Sequence, residues 1–270
     1  MSGESRPPGD APVVLEGRVS IEAALAGGVR TVHEILATAP GDRRLSYLRH
    51  AAAEHEVPIR RVAPTDIRRL VTGTTHGGVV GLAGGRSYLS MPELLSRIGP
   101  VPLLVMLDGI EDPYNFGQAI RAVFAAGADG LIVRERSWER AAGTVARASA
   151  GASELLPTAA VTRPEEAADQ SRAAGLTVAC ATTRSDATFM HDANLAVPLL
   201  LMVGGERRGV TRSFTDSADV QLRIPYGRRG AHALGAATAA ALLAFEALRQ
   251  RRAAGIGVAV EADPSRDAPG

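Results

Sequence analysis

The sequence predicts an α/β protein in which a largely parallel sheet carries helices on both faces and follows a smaller α/β unit. Strand-like and helix-like segments alternate at short spacing along the chain, which is typical of parallel sheets. Apolar residues make up 46% of the 270 residues, enough for a substantial core and too many for wholesale disorder. A connector over 85–100 separates two runs of alternating segments. We therefore expect domains over 12–84 and 101–252, between loose tails over 1–11 and 253–270.

The first domain is predicted to consist of short helices between apolar strands. Ser20 as a cap and Gly28 as a stop predict its first helix, and Thr65 is the expected cap of its last. The other segments are a strand over 32–38, a helix over 43–55, and strands over 58–63 and 78–84. The Gly-rich stretch 72–85 lacks the Gly-Lys-Ser/Thr end of a phosphate loop and the dinucleotide fingerprint, so we interpret it as turns around a strand. His76 within it could touch a ligand, although a lone His is more often structural.

The second domain begins with a buried strand, LLVMLD over 103–108, and ends in an Ala- and Leu-rich helix over 234–248. Between them, helices are expected over 115–126, around 138–149 and over 164–175, and strands over 130–133, 156–161, 176–182, 197–205 and 220–225. Parallel sheets bind ligands in the crevice beyond the carboxyl ends of their strands. The loops after Met106, Val203 and Ile224 are therefore the candidate site.

The loop after the first of these strands carries polar side chains that could reach a ligand. An acidic turn leads from Asp108 through Pro113 to Asn115, which we expect to cap a helix that bears Arg121. Asn115 and Arg121 are six residues apart, so their side chains can converge above the strand ends. Ordinary capping beside a solvated Arg explains the same residues equally well.

A Gly-rich turn follows the strand that ends near Val203. The consecutive glycines that begin at Gly204 allow backbone donors to face a ligand, and Glu206 is the single carboxylate of the turn. Arg207 and Arg208 add positive charge beside the crevice. A tight turn with solvated charges is the alternative interpretation.

Composition argues against several classes of site. Cys180 is the single cysteine, and the six histidines lack metal-ligand spacing, so we expect neither a disulfide framework nor a metal site. No apolar stretch reaches the length of a membrane span, and the N-terminus lacks the pattern of a secretory signal. We therefore expect no membrane partner and a cytoplasmic location. The formal net charge of +1 does not by itself indicate nucleic acid.

Three motifs in order make the second domain similar to a known family. The first, an acidic turn followed by Asn, Gly and Arg, is matched by Asp112, Pro113, Asn115, Gly117 and Arg121. The second, a Gly-rich turn with a Glu, is matched by Gly204, Glu206 and Gly209. The third is matched by Ile224, Pro225 and the Ala-rich helix that ends in Phe245 and Glu246. The chain thus resembles the SpoU/TrmH group of SPOUT-class RNA 2'-O-ribose methyltransferases, with a first domain similar to the small L30e-like unit they often carry.

The resemblance implies a fold, a cofactor and an assembly. Proteins of this group tie their last strand, loop and helix into a deep trefoil knot, bind S-adenosylmethionine in it mainly through backbone groups, and form homodimers. The implied cofactor contacts in this chain are backbone groups of Gly204, Ile224 and Leu234. The implied catalytic residues are Asn115, Arg121 and Glu206. Arg121 is expected to orient the ribose hydroxyl and stabilise charge, because an Arg is normally too basic to lose its proton, and a homodimer could let it act across the interface.

The resemblance also implies RNA as the partner, and ribosomal RNA ahead of tRNA because two-domain members more often act on ribosomal RNA. All 30 basic residues are Arg, whose guanidinium fits phosphate. On an L30e-like domain we expect phosphate contacts from Arg43, Arg44, Arg60, Arg61 and Arg68, with Arg49 and Arg69 in the same cluster. A solvated helical face explains any one of them alone.

The third motif departs from the family pattern. Members usually have Ser-Leu-Asn-Val-Ser where the loop enters the last helix, whereas this chain has Ala-Leu-Gly-Ala-Ala over 233–237, and the loop before it is one residue longer. Two hypotheses follow. The enzyme is active, because methyl transfer depends on in-line positioning more than on covalent chemistry. Alternatively, loss of the Ser and Asn has weakened catalysis and left an RNA-binding relative.

Overall fold

A computed structural model describes the chain over 13–71, 73–134, 141–205, 210–228 and 234–257. Within these ranges the strands form two sheets, one of four strands and one of seven. The α/β architecture predicted from the alternating segments is confirmed, and each sheet has its own hydrophobic core.

The four-stranded sheet belongs to the first half of the chain and is mixed. Its strands are β1 (Val13–Glu16), β2 (Val32–Ala37), β3 (Ile59–Arg61) and β4 (Val79–Ala83), in the spatial order β1-β4-β2-β3. Strand β4 runs antiparallel to both neighbours, and β3 is parallel to β2. The accompanying helices are α1 (Arg18–Gly27), α2 (Ser46–Glu54) and α3 (Pro64–Leu70), with a 3-10 turn over Arg43–Leu45 before α2.

The seven-stranded sheet is parallel throughout. Its strands are β5 (Leu103–Asp108), β6 (Gly130–Arg134), β7 (Thr158–Val161), β8 (Thr177–Ala181), β9 (Thr188–Phe189), β10 (Leu199–Gly204) and β11 (Val220–Arg223). The order is β7-β6-β5-β10-β8-β11-β9, so the buried strands β5 and β10 pair near the centre. Continuous apolar runs such as LLVM fit strands that are covered on both faces.

Helices cover both faces of this sheet, as predicted. They are α4 (Met91–Leu95), α5 (Pro113–Ala125), α6 (Ala142–Ala148), α7 (Ala152–Leu155), α8 (Pro164–Ala173), α9 (Arg212–Ser217) and α10 (Ala236–Ala253). One face buries apolar side chains of α5 and α10, and the other buries those of α4 and α8 together with Phe214. The sequence did not predict the short elements β1, β9, α7 and α9, since each spans too few residues to show a periodic pattern.

Two helices of the first domain begin before the residues predicted to cap them. The cap of α1 is Gly17, whose φ of 84° favours glycine, so Ser20 lies inside the helix. The cap of α3 is Ala63, whose N–H donates to the Asp66 carboxylate at 3.2 Å. Thr65 is therefore the second residue of that helix. The sequence analysis assigned each helix start to a side-chain hydroxyl. Instead, α1 begins at the backbone conformation of Gly17, and α3 begins where the Asp66 carboxylate accepts the Ala63 N–H.

Asn115 was also wrongly predicted as a cap. Helix α5 begins at Pro113, whose fixed φ and missing N–H suit the first helical position. The cap is Asp112, and its Oδ1 accepts a hydrogen bond from the Asn115 N–H at 2.7 Å. Asn115 is therefore the third residue of the helix and not its cap.

The last helix is longer and less uniformly buried than its composition predicted. It continues to Ala253 rather than ending at 248. Leu243, Ala244 and Ala247 are buried, whereas Leu242 is 38% and Phe245 is 46% exposed. One apolar face of α10 is thus uncovered in the single chain.

The two domains are packed directly against each other. Gly27 of α1 approaches the Glu154 carbonyl so closely that an added Cβ would lie 1.8 Å from the oxygen. Arg30 Nε donates to Glu154 Oε2 at 2.7 Å, and both side chains are buried. From the connector, Arg86 donates to the backbone oxygen of Ser153, and Leu89 bridges to the edge of the seven-stranded sheet. These contacts fix the first domain and the connector against α7 and β7.

Candidate functional site

The carboxyl ends of β5 and β10 are joined by a close backbone contact. Gly204 pairs with Asp108 in the parallel register, and the Gly205 N–H donates to the backbone oxygen of Asp108 at 2.7 Å. A Cβ on Gly205 would lie 1.9 Å from the Gly109 oxygen, so only glycine allows the two loops to meet. Gly205 is therefore required for the packing of these two strand ends.

Beside this contact, a cleft of about 580 Å³ lies over the carboxyl ends of β8, β10 and β11. Its volume falls in the range of small-molecule pockets. Gly204, Ile224 and Leu234, the three positions implied for the cofactor, all line it. The sequence placed these residues on three separate segments, and the fold brings them to one cavity.

The walls of the cleft are apolar side chains and backbone, with few ionisable groups. Val203, Leu222 and Ala239 supply apolar surface. The hydroxyl of Tyr226 accepts a hydrogen bond from the Leu234 N–H at 3.2 Å, which connects the exit of β11 to the entry of α10. Such a cavity suits a flat apolar ring with polar edges that reach backbone groups.

A cation–aromatic pair forms one side of the cleft. The guanidinium of Arg223 lies 3.7 Å from the ring centroid of Phe189, and both residues line the cavity. The sequence analysis did not select Arg223, Phe189 or Tyr226. Arg223 and Tyr226 flank the Ile-Pro pair of the third motif, so adjacency to that motif was the available signal.

The first motif lies apart from this cleft. Asn115 is half-buried in the first turn of α5, and Arg121 is exposed farther along the helix. Neither is among the described residues that line the cleft. Arg121 forms no hydrogen bond or ion pair with a residue in the described ranges. Glu206 lies outside the described residues.

The buried carboxylate at the end of β5 has a structural partner. Asp108 is 3% exposed and accepts a hydrogen bond from Arg134 Nε at 2.5 Å. Arg134 ends the neighbouring strand β6, so the pair ties two strand ends together. The Asp108 carboxylate is therefore paired, and it connects the carboxyl ends of β5 and β6.

The five arginines predicted to contact RNA are all exposed. Two of them have carboxylate partners: Arg44 donates to Asp42 at 2.9 Å and Arg60 to Glu34 at 2.6 Å. Hydrogen bonds from these guanidinium groups lower the pKa of Asp42 and of Glu34. Arg43, Arg61 and Arg68 complete the exposed set.

The structure also bears on membranes and metals. Among the described helices, none combines the length and apolar character needed to cross a bilayer. Within the same ranges, His, Cys, Asp and Glu side chains do not gather in groups of three that could hold a metal ion. Cys180 is buried in β8, and burial raises the pKa of its thiol to about 11.

Comparison with known proteins finds two family models along the chain. The SpoU rRNA Methylase family matches residues 102–245, which is more than half of the chain. A model described as RNA 2'-O ribose methyltransferase substrate binding matches residues 14–89. The two matches fall on the seven-stranded and four-stranded sheets, respectively.

Individual relatives match at nearly full length. The 23S rRNA (guanosine-2'-O-)-methyltransferase RlmB of Pseudomonas putida is 28% identical over 241 residues, which cover 88% of this chain and 96% of that protein. A crystal structure of an RNA 2'-O ribose methyltransferase is 27% identical, with a TM-score of 0.71 and coverage of 88% of both chains. The methyltransferase AviRb of Streptomyces viridochromogenes, in complex with AdoMet, is 24% identical with a TM-score of 0.74, covering 89% of this chain and 91% of AviRb. At 24% identity, the similarity to AviRb shows that the two chains share a fold.

Proposed function

The chain belongs to the SpoU rRNA Methylase family, and we propose that it transfers a methyl group from S-adenosylmethionine to a ribose 2'-hydroxyl of ribosomal RNA. The cleft at the carboxyl ends of β8, β10 and β11 carries this proposal. It gathers Gly204, Ile224 and Leu234, the positions where the family motifs imply cofactor contacts. The relation to RlmB, a 23S rRNA methyltransferase, supports ribosomal RNA over tRNA.

The chemistry of the cleft fits S-adenosylmethionine, which supplies an electrophilic methyl group on a sulfonium when bound. Apolar side chains offer a surface for the adenine ring, and strand ends offer backbone donors and acceptors. Backbone contacts persist when side chains change. The missing Ser and Asn of the third motif therefore leave the main cofactor contacts of this chain available.

The catalytic roles proposed for the first and second motifs are positional. Arg121 orients the ribose hydroxyl and stabilises developing charge, since a guanidinium keeps its own proton. Asn115 and Glu206 hold the loops and the target nucleotide. Holding the hydroxyl in line with the methyl group supplies most of what this reaction needs.

A homodimer accounts for the position of Arg121. Phe124 on α5 and Leu242 and Phe245 on α10 are between 38% and 46% exposed, on two helices that pack together. Apolar side chains at this exposure on adjoining helices are typical of an interface. Arg121 is exposed on the same helix as Phe124. We infer that a second copy covers this surface and that Arg121 serves the partner's cleft.

The finer fold features remain part of the proposal. We infer that the end of the seven-stranded domain, from β11 to α10, forms the trefoil knot that the family resemblance implies. The four-stranded domain is inferred to be the L30e-like RNA-binding unit, with Arg43, Arg44, Arg60, Arg61 and Arg68 contacting phosphates. The match of residues 14–89 to a substrate-binding model supports this assignment.

A methyl-transfer assay tests the function. The protein is incubated with tritiated S-adenosylmethionine and in vitro transcribed 23S ribosomal RNA, with transcribed tRNA as the alternative substrate. We expect tritium in ribosomal RNA, at a linkage that resists alkaline hydrolysis as a 2'-O-methylated ribose does. Incorporation into tRNA alone would contradict the ribosomal assignment. Tight RNA binding without incorporation into either would favour the weakened RNA-binding relative.

A further inference from the structure

A second cavity, of about 520 Å³, lies between the four-stranded sheet and α6. We call it the α1 groove, because the first turn of α1 forms its floor through Gly17, Arg18, Val19 and Ser20. The 75–78 turn and the first residue of β4 form one wall, and Arg147 of α6 closes the other. The groove is separate from the cleft at the carboxyl ends of the seven-stranded sheet.

The first turn of α1 presents several donors to this groove. Helix α1 has ten residues, and its cap Gly17 has no side chain to bond the first N–H groups. The first intrahelical bond is that of the Ile21 N–H to the Gly17 oxygen, so the three N–H groups before Ile21 have no partner within the helix. The aligned peptide dipoles add partial positive charge at this end.

Ser20 supplies an independent observation that points to a ligand. It is only 2% exposed, yet it lines the groove. Its hydroxyl forms no hydrogen bond with any residue in the described ranges. The hydroxyl is therefore available at the wall of the groove, where a ligand or water can form a hydrogen bond with it. The residue that we predicted as a helix cap thus faces a cavity as an unused donor.

The charged groups of the groove favour an anion. Arg18, Arg44 and Arg147 line it together with two carboxylates, those of Glu16 and Asp42. Glu16 accepts from Arg147 and Asp42 accepts from Arg44, while Arg18 pairs with Glu22, which does not line the groove. Each guanidinium thus has a carboxylate partner, but three guanidinium groups and only two carboxylates line the groove, and the helix N-terminus adds partial positive charge.

His76 adds a directed donor to the same wall. Its Nδ1 accepts a hydrogen bond from the Gly78 N–H at 3.0 Å, so the neutral ring carries its proton on Nε2. His76 lines the groove and is half-buried. The Gly-rich turn that matched neither a phosphate loop nor a dinucleotide fingerprint is thus part of a different cavity.

We propose that the α1 groove binds a phosphodiester group of the substrate RNA, with the first-turn N–H groups of α1, the Ser20 hydroxyl and Arg18 as its donors. The proposal rests on RNA being the substrate, as proposed above. N–H groups at a helix start together with a hydroxyl and a guanidinium form a recurrent phosphate site. The groove is flanked by the predicted RNA contact Arg44, so the RNA would pass from the arginine cluster across the domain junction.

Two variants test the groove by filter binding to in vitro transcribed 23S ribosomal RNA. Ser20→Asp places a carboxylate where the phosphate would lie, while a carboxylate in the first turn favours the helix itself. Arg18→Gln removes a half-exposed guanidinium that lines the groove and pairs with Glu22 outside it. Arg163→Gln, at an exposed Arg outside the groove, is the matched control. Melting temperatures and S-adenosylmethionine binding confirm that each variant is folded.

We expect Ser20→Asp and Arg18→Gln each to weaken RNA binding by about tenfold, as loss of a charge-assisted hydrogen bond does. The slope of log affinity against log salt should fall by about one for each, and not for Arg163→Gln. Wild-type affinity and slope in both variants would overturn the proposal. Adenosine monophosphate serves as a competitor: if it binds in a Ser20-dependent way while RNA affinity is unchanged in the variants, the groove is a free-nucleotide site and the RNA assignment is wrong.

The outcome separates this inference from the proposed function. A wild-type protein that methylates RNA, with variants that bind RNA normally, would leave the function standing and remove the groove. If the wild-type protein transfers no methyl group, while Ser20→Asp and Arg18→Gln bind RNA more weakly than wild type, the groove stands as an RNA site and the proposed methyltransferase function is wrong.

Discussion

Arg121 is the residue on which the catalytic account depends. It is exposed on α5, has no ion-pair partner among the described residues, and does not line the cleft of its own chain. We expect Arg121→Ala to lower the methyl-transfer rate by about a hundredfold or more, as loss of a charge-stabilising donor does. RNA affinity should change little, because Arg121 is proposed to act on the ribose hydroxyl and not to contact phosphate.

The measurement is single-turnover methyl transfer alongside filter binding, with Arg163→Ala as an exposed control. An unchanged rate for Arg121→Ala would remove Arg121 from the catalytic role. The dimer is tested by mixing Arg121→Ala with a second variant whose cleft no longer binds S-adenosylmethionine but which keeps Arg121. Recovered activity in mixed dimers is expected if Arg121 serves the partner's cleft.

For single residues, the sequence predicted which residues line the cleft better than it predicted which residues cap helices. Gly204, Ile224 and Leu234 were selected by their motifs, and the fold gathers them in one cleft. Ser20 and Asn115 were both expected to cap helices, and neither does. A cap prediction rests on one residue and its neighbours, whereas Gly17 and Asp112 three residues earlier were equally suitable starts.

Helix α10 is the element whose sequence departs most from the family motif. Its cap, Gly235, contributes no side-chain hydrogen bond, where family members usually have Asn. If the backbone holds the cofactor, restoring Ala233→Ser together with Gly235→Asn should change the methyl-transfer rate by no more than about threefold, less than 1 kcal/mol in the transition state. The assay is steady-state transfer to ribosomal RNA. A gain of a hundredfold would instead indicate that the native site is damaged.

The C-terminal half of α10 is stabilised by a carboxylate from the same motif. Glu246 is 7% exposed and accepts hydrogen bonds from Arg249 at 2.7 Å and Gln250 at 2.8 Å. The hydrogen bond from Arg249, aided by Gln250, lowers the pKa of Glu246. A depressed folded-state pKa contributes stability above the unfolded-state pKa, and this contribution is lost as the pH falls through the folded-state value.

We therefore expect Glu246→Gln to lower the free energy of unfolding at pH 7 by about 1–2 kcal/mol, the usual contribution of a hydrogen bond to a charged group. The difference from wild type should shrink as the pH falls from about 5 toward 3, where the native Glu246 also becomes neutral. Urea unfolding across this range measures it, with the exposed Asp169→Asn as a control. A difference that is constant with pH would mean that packing, and not charge, makes Glu246 important.

Element types were accessible from the sequence because each long strand and helix shows its own periodicity. The parallel strands β5, β8 and β10 were predicted as continuous apolar runs, and the structure pairs them side by side. Short elements such as β9 and α7 were not, since two or four residues carry no pattern.

At the scale of the whole molecule, the domain junction was beyond sequence reasoning. Arg30 and Glu154 are 124 residues apart, and nothing in either neighbourhood indicates a buried pair. Glu154 is 1% exposed and also accepts from the Ser153 hydroxyl at 3.1 Å. Arg86 lies 3.8 Å away, and burial is the main cause that lowers the pKa of its guanidinium. One carboxylate thus compensates two buried cations.

Glu154→Gln should therefore destabilise the protein by about 3–5 kcal/mol, because removing one partner leaves buried charge unpaired. Chemical denaturation measures the change, and limited proteolysis of the 85–100 connector should accelerate if the domains separate. Asp186→Asn in the exposed pair with Arg184 is the control, for which little change is expected. Equal stability of Glu154→Gln and wild type would show that the junction does not couple the domains.

The central claim is that the cleft over β8, β10 and β11 binds S-adenosylmethionine without the Ser and Asn of the third motif. Isothermal titration calorimetry of the purified protein with S-adenosylmethionine tests it most directly. The account predicts saturable binding with a dissociation constant in the micromolar range, about −8 kcal/mol. Absence of binding to a protein that is folded by circular dichroism would contradict it.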